Sequence, residues 1–247
     1  DFIITSFLLI SLLLFLSLVR DRADKKDWEA KHRRISGALS VLLALGWITV
    51  FYGSFIEPEI ITINRRAIDL PKYTGPAVTV ALISDIHVGP YVGKPFISRL
   101  SKKILALHPD FLLIDGDIIY NQVKAVEKLS PLAGATAVIP SFAVLGDHDY
   151  LIRKEDGRKI TNDAGAEAIR SAMESFGITV LSNQSFPLTD DITLVAVDDL
   201  RSGKTDLTEA LARVESAQSV ILLSHNPDIM LNPLSRHTDL ALSGNTH

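Results

Sequence analysis

The chain has no cysteine, which excludes disulfides, thiolate nucleophiles and zinc–thiolate centres and leaves oxygen and imidazole groups as its metal donors. It also lacks a basic surplus: 25 Lys and Arg stand against 29 Asp and Glu, for a net charge of -4. No local basic cluster after residue 57 compensates, so a nucleic-acid partner is not expected. Internal repeats and low-complexity tracts are missing. With 47% hydrophobic and 22% charged residues, disorder is excluded as the main state. The 247 residues suffice for one ordinary domain and a small appendage.

The apolar residues are concentrated at the front. Residues 2–19, "FIITSFLLISLLLFLSLV", carry no charge, and a run of about 20 apolar residues is what a bilayer-spanning helix needs. A second run, residues 38–56, "ALSVLLALGWITVFYGSFI", places Trp47 and Tyr52 in its second half, where an interfacial aromatic belt forms. These predict a transmembrane helical hairpin over residues 1–57, with the lipid bilayer as partner. A cleaved signal peptide fits poorly, because the first run has no basic leader and exceeds the usual apolar length. The joining loop, "RDRADKKDWEAKHRR", is rich in Lys and Arg, which favours the cytoplasmic side. A two-pass cell-membrane protein with its body outside the cytoplasm follows. Arg65, Arg66 and Lys72 beyond the second run pull the other way, and a hairpin lying in the interface is an alternative.

From residue 58 the pattern changes. Strands are predicted at 59–64, 77–84, 111–117, 141–147, 178–183, 192–199, 219–225 and 239–244, with helices near 94–107, 121–132, 163–175 and 206–216. Apolar strands alternating with helices indicate an α/β domain, residues 58–247, with sheets covered on both faces.

Five of these strands end in polar residues: Asp85 and His87; Asp115 and Asp117; Asp147, His148 and Asp149; His225; and Asn245 with His247. Carboxyl ends of strands in open α/β sheets converge on one crevice. Several carboxylates there repel and lose hydration unless cations neutralise them. A pair of bound metal ions accounts for the set.

The order of motifs resembles the calcineurin-like dimetal metallophosphoesterases, whose pattern is D-x-H, G-D, G-N-H-[DE], a lone H and G-H-x-H. The matches are Asp85-Ile86-His87, Gly116-Asp117, Gly146-Asp147-His148-Asp149, His225 and Gly244-Asn245-Thr246-His247. The resemblance covers residues 77–247, and the apolar front resembles the family's membrane-anchored branch. It implies a four-layer α/β/β/α sandwich and two divalent ions. Asp85, His87 and His247 would hold one ion, Asp117 would bridge, and Asp147, His225 and Asn245 would complete the other. His148 would be the general acid and Asp149 would orient its ring. The implied reaction is in-line attack on phosphorus by a metal-activated water.

Two positions depart from the pattern: Asp147 replaces asparagine and Asn245 replaces histidine. If both reach the ion, the site gains hard oxygen donors and favours Mn2+ or Mg2+, with zinc or iron as alternatives. The other outcome is a weakened second site and a catalytically impaired protein serving as a binding or scaffold module. In the resembled family a glycine-rich loop and further strands follow the last motif, so the domain is expected to be C-terminally incomplete.

Asp115 is expected on the same face as Asp117, supporting a ligand or meeting a backbone amide. Asp198 and Asp199 border the pocket or form a turn; Asn226 touches substrate or caps a helix before Pro227; Asn183 braces a loop or forms a turn. His32, His108 and His237 match no motif and are expected at the surface. A membrane anchor raises the effective concentration of substrates confined to a bilayer. The expected substrate is thus a lipid-linked phosphoester or pyrophosphate, nucleotide-activated lipid precursors such as UDP-diacylglucosamine included. A cytoplasmic nucleotide substrate conflicts with the topology read from the loop.

Overall fold

The structure, a computed structural model, describes residue 9, residues 11–16 and residues 30–246. Most of the first expected span, much of the joining loop and His247 lie outside the described residues. The chain divides into two compact units, Asp1–Arg65 and Arg66–His247.

In the first unit helix α1, Ala30–Phe51, continues through a wider turn at Tyr52–Ile56 and a tight one at Glu57–Glu59. Among the described residues one helical stretch has the length and composition to cross a membrane, Ser40–Glu59, with mean hydropathy 1.5. Leu42, Leu45, Ile48 and Phe55 are exposed along it, apolar surface that water does not favour. The expected hairpin is thus represented by one span. The strand predicted at 59–64 does not form. Ile60 N–H donates back to Glu57 O at 3.0 Å, and Ile60 and Ile63 are exposed. β-branched alternation without a neighbouring strand leaves the ladder unpaired.

In the second unit β1 (Val80–Ile83), β2 (Phe111–Asp115), β3 (Ser141–Val144) and β6 (Thr179–Val180) form a parallel sheet in the order β1-β2-β3-β6. A second sheet runs β10-β9-β8-β7, with β7 (Gln184–Pro187), β8 (Ile192–Ala196), β9 (Ser219–Leu223) and β10 (Leu240–Leu242). Only β7 is antiparallel there. β2, β8 and β9 are almost wholly buried, as continuous apolar runs covered on both faces must be.

The alternation of side chains explains the layering. Leu113, Phe142 and Val144 of the first sheet pack against Leu194, Ala196, Ile221 and Leu223 of the second. Leu112, Ile114 and Ala143 therefore face the other way, and they too are buried. That outer face is served by α2 (Lys94–Leu107), a 3-10 stretch (Val123–Leu132), the short α3 (Ala133–Thr136) and α4 (Asp163–Ser175). Ile97, Ile104, Ile169 and Met173 on these helices are buried. On the far side, Val195, Val220 and Leu222 pack with Leu207 and Ala210 of α5 (Leu207–Leu211) and with Ile229. Helices, sheet, sheet and helices form four layers.

Capping sets the helix starts. Asn162 accepts from Gly165 N at 2.9 Å and Asp206 from Glu209 N at 2.9 Å, each satisfying an amide that the first turn leaves free. Asn226 accepts from Asp228 N at 2.9 Å, which is its capping role. His108 and His237 are exposed, and the side chain of His32 lies outside the described set. A hairpin of β4 (Arg153–Glu155) and β5 (Arg158–Ile160) was not predicted: its residues, "RKEDGRKI", carry almost no apolar alternation.

Candidate active site

The parallel registers Ile83↔Ile114 and Asp115↔Val144 put the ends of β1, β2 and β3 at one edge, and Leu242↔Leu223 does so for β10 and β9. The loops beyond continue the pairing. Asp85 N donates to Gly116 O at 3.2 Å, His87 N to Asp117 O at 3.0 Å and Val88 N to Ile118 O at 2.8 Å. The chain must turn sharply while aiming side chains inward. Asp85, His87, Asp117 and Asn245 all have φ between 48° and 53°, a conformation costly for residues with a side chain and concentrated at functional sites. Gly116, at φ 72°, has His225 Nδ1 2.6 Å from the place a Cβ would occupy, so only glycine fits there.

Two groups of potential metal ligands result: His87, Asp117 and His148, and Asp85, Asp117 and His225. Within each group the donor atoms lie within 4.8 Å of one another. Asp117, fully buried, belongs to both. Its Oδ1 is 3.3 Å from His225 Nε2 and its Oδ2 is 3.8 Å from His87 Nε2. His225 Nδ1 lies 2.7 Å from the Asp115 carbonyl, so Nδ1–H donates there and Nε2 points at the carboxylates, an arrangement typical of metal-binding imidazoles. Asp147 Oδ1 is 3.8 Å from the same Nε2 and its Oδ2 accepts from Arg201 Nη1 at 3.1 Å. Asn245 joins the cluster through its backbone, its N–H donating to Asp85 Oδ2 at 3.1 Å.

Burial and charge bias the protons. Burial opposes ionisation of Asp117, but His225 and the His148 N–H hold its carboxyl below the usual range. Burial opposes charge on His225 as well, yet Asp117 pushes it up to about 9. Burial lowers His87 against the pull of Asp117. Burial pushes Asp115 and Asp149 up to about 7 and Asp199 up to about 6. A proton on His225 thus stands where positive charge is wanted. Asp117 Oδ2 and Asp147 Oδ1 are buried and have no hydrogen-bond partner among the described residues, and His225 Nε2 stands beside them. Such groups cost free energy unless satisfied, and carboxylate oxygens with an imidazole nitrogen fit a divalent cation.

The resemblance implied that Asp149 orients the His148 ring, and the structure assigns that task elsewhere. Asp149 is fully buried and accepts from Ile118 N at 3.0 Å, Ile119 N at 3.0 Å and Gly146 N at 2.9 Å. It ties the loop after β2 to the loop after β3. The His148 ring is held by Tyr120, whose carbonyl lies 2.7 Å from Nδ1 and whose ring stacks at 5.8 Å. Tyr120 and Arg201 were missed because neither belongs to a motif; their nearness in sequence to Asp117 and to the Asp198-Asp199 pair was the available signal. Asp198 does not reach the cluster: Tyr150 Oη and Ser182 Oγ donate to it at 2.7 and 2.5 Å. Asn183 braces this loop, accepting from Asp198 N at 3.0 Å. Asp115 is buried, and its carbonyl carries the support of His225.

Two sheets with helices outside, and carboxylates and imidazoles gathered where the strands end, define a metal-dependent phosphoesterase. Residues 78–247 match the family of calcineurin-like phosphoesterases, and the chain belongs to that family, whose members use divalent metals. UDP-2,3-diacylglucosamine pyrophosphatase LpxG of Chlamydia trachomatis is 25% identical over 86% of this chain and 77% of its own. An uncharacterized metallophosphoesterase of Aquifex aeolicus is 27% identical over 81% of this chain and 76% of its own. A transmembrane protein with metallophosphoesterase domain from Danio rerio is 28% identical over 77% of this chain and 44% of its own.

Proposed function

We propose that the protein hydrolyses a lipid-linked phosphoester or pyrophosphate at a pair of divalent cations, with the catalytic unit anchored at the cell membrane. The observation that carries the reaction is the sharing of Asp117 by two ligand groups with His148 in one of them. In this reading Asp85, His87 and His247 would serve one cation, Asp117 both, and Asp147, His225 and Asn245 the other; the structure shares Asp117 between the groups but sets Asp85 with His225 rather than with His87. The oxygen-rich second set favours Mn2+ or Mg2+. Cations bound there supply Lewis-acid binding of phosphate oxygens and lower the pKa of a water.

The chain's own residues do the rest. Nδ1–H of His148 is fixed on the Tyr120 carbonyl, which leaves Nε2 to hand its proton to the leaving oxygen. Asp149 keeps the loops carrying Asp117 and His148 in register through its three amide bonds. The lipid preference is supported by the membrane-length stretch Ser40–Glu59 and by the likeness to a protein named for a diacylglucosamine substrate. The anchor is proposed as two-pass, residues 1–57, followed by the phosphoesterase domain from residue 58. No nucleic-acid partner is proposed.

The test is hydrolysis by the detergent-solubilised full chain in Mn2+ of UDP-2,3-diacylglucosamine beside UDP-N-acetylglucosamine, which offers the same pyrophosphate without long acyl chains. Buried acyl methylenes contribute about 0.8 kcal/mol each, so a preference in kcat/KM of about 100-fold or more for the acylated compound is expected. Equal rates would remove the lipid part of the reading, and turnover of neither would remove the pyrophosphate part.

A further inference from the structure

Arg201 lies outside the motifs, yet its Nη1 is 3.1 Å from Asp147 Oδ2 while its side chain stays 52% exposed. The loop that carries it, between β8 and α5, is held from several sides. Asp198 is fixed by Tyr150 and Ser182. Asn183 Oδ1 accepts from Asp198 N at 3.0 Å and Asp206 N at 2.9 Å. Lys159 Nζ donates to the Arg201 carbonyl at 2.5 Å, and Ser202 N donates to Asp199 Oδ2 at 2.5 Å. So much support presents one arginine at the lip of the cluster. An exposed ion pair adds little to stability, so folding alone does not account for the arrangement.

Charge and geometry indicate a ligand. Asp147 stands where the family pattern has a neutral asparagine, and Arg201 brings one compensating positive charge. Of the neighbouring cations, Lys204 is engaged with Asp163 at 2.8 Å and Lys159 with the Arg201 carbonyl. A guanidinium has five N–H donors in a planar fork suited to phosphate oxygens, and the contact with Asp147 uses one of its nitrogens.

We propose that Arg201 is a substrate-binding residue whose guanidinium, steered by Asp147, holds an anionic oxygen of the substrate phosphate beside the cation site. This rests on the phosphoesterase reading. Asp147 is then shared between the arginine and the cation, which keeps the second site from becoming a stronger anion than its substrate tolerates.

The experiment compares the full chain with Arg201→Gln, Arg201→Lys and, as a control for net charge, Lys154→Gln on the exposed hairpin. Bis(p-nitrophenyl) phosphate is hydrolysed in saturating Mn2+. Calorimetry gives the affinities for Mn2+ alone and for inorganic phosphate added to the Mn2+-loaded protein. Loss of a charge-assisted hydrogen bond predicts that Arg201→Gln raises KM and the phosphate Kd by about 10- to 100-fold, with a smaller fall in kcat. Mn2+ binding tightens, because a neighbouring positive charge is gone. Arg201→Lys recovers part of the loss and Lys154→Gln behaves as the parent. KM and phosphate Kd within twofold of the parent would overturn the proposal. So would joint loss of Mn2+ binding and kcat at unchanged KM, which would make Arg201 a structural support. Phosphate binding is read without turnover, so a parent chain that binds phosphate through Arg201 but hydrolyses nothing would refute the hydrolytic reading and leave this one standing.

Discussion

Asp117→Asn is expected to lower hydrolysis by at least about 10³-fold, because Lewis-acid stabilisation supplies several kcal/mol and each 1.36 kcal/mol is a factor of ten. The change is nearly isosteric. The amide oxygen still accepts from His148 N, which Asp117 Oδ1 now does at 2.9 Å, so the loop after β3 keeps its support. What is lost is the charge that two ligand groups share. A chain that still folds, with activity gone and with a lower metal-free melting point at pH 7 because the buried Asp117–His225 pair is lost, is the expected combination. Activity within tenfold of the parent would show that the reaction does not run through this carboxylate.

His148→Ala has the second largest expected effect, and the leaving group decides its size. With an alkoxide leaving group kcat should fall by about 10²–10⁴-fold, the range for a positioned general acid. With p-nitrophenolate, which departs without a proton, the loss should be under about tenfold. The comparison matters because the His148 donor lies with those of His87 and Asp117 within 4.8 Å, so the geometry alone also suits a metal ligand. Equal losses for both leaving groups would mark a ligand; a loss confined to the alkoxide marks the proton donor. The 2.7 Å bond from Nδ1 to the Tyr120 carbonyl leaves one ring nitrogen for either role.

Much of the catalytic unit was legible because β2, β3, β8 and β9 are almost wholly buried and must be apolar throughout. β2, β3, β8, β9 and β10 fall where apolar runs end in a polar residue; Asp117, Asp147 and His225 at three of those ends stand in the cluster, while Asp198 after β8 does not reach it. α2 and α4 form where amphipathic stretches indicated helices near 94–107 and 163–175. The failures share a different cause. The β4–β5 hairpin is mostly charged, so burial wrote no pattern into it, and residues 59–64 had the pattern without a strand to pair with. The roles of Tyr120 and Asp149 were not legible either. A backbone carbonyl that holds an imidazole leaves no trace in residue type, and Asp149 proved to bind three amides across a loop rather than the adjacent ring. Arg201 reaches Asp147 from 54 positions away, a contact made by the fold.

Isothermal titration of the metal-free full chain with Mn2+ at pH 7.5, in buffers of different ionisation enthalpy, tests the central claim most directly. His225, pushed up to about 9 by Asp117, carries a proton at that pH, and an ion needs the neutral ring, so binding must release protons. Two ions per chain with proton release, both diminished by Asp117→Asn, is the predicted result. An absence of binding, or binding that Asp117→Asn leaves unchanged, would contradict it.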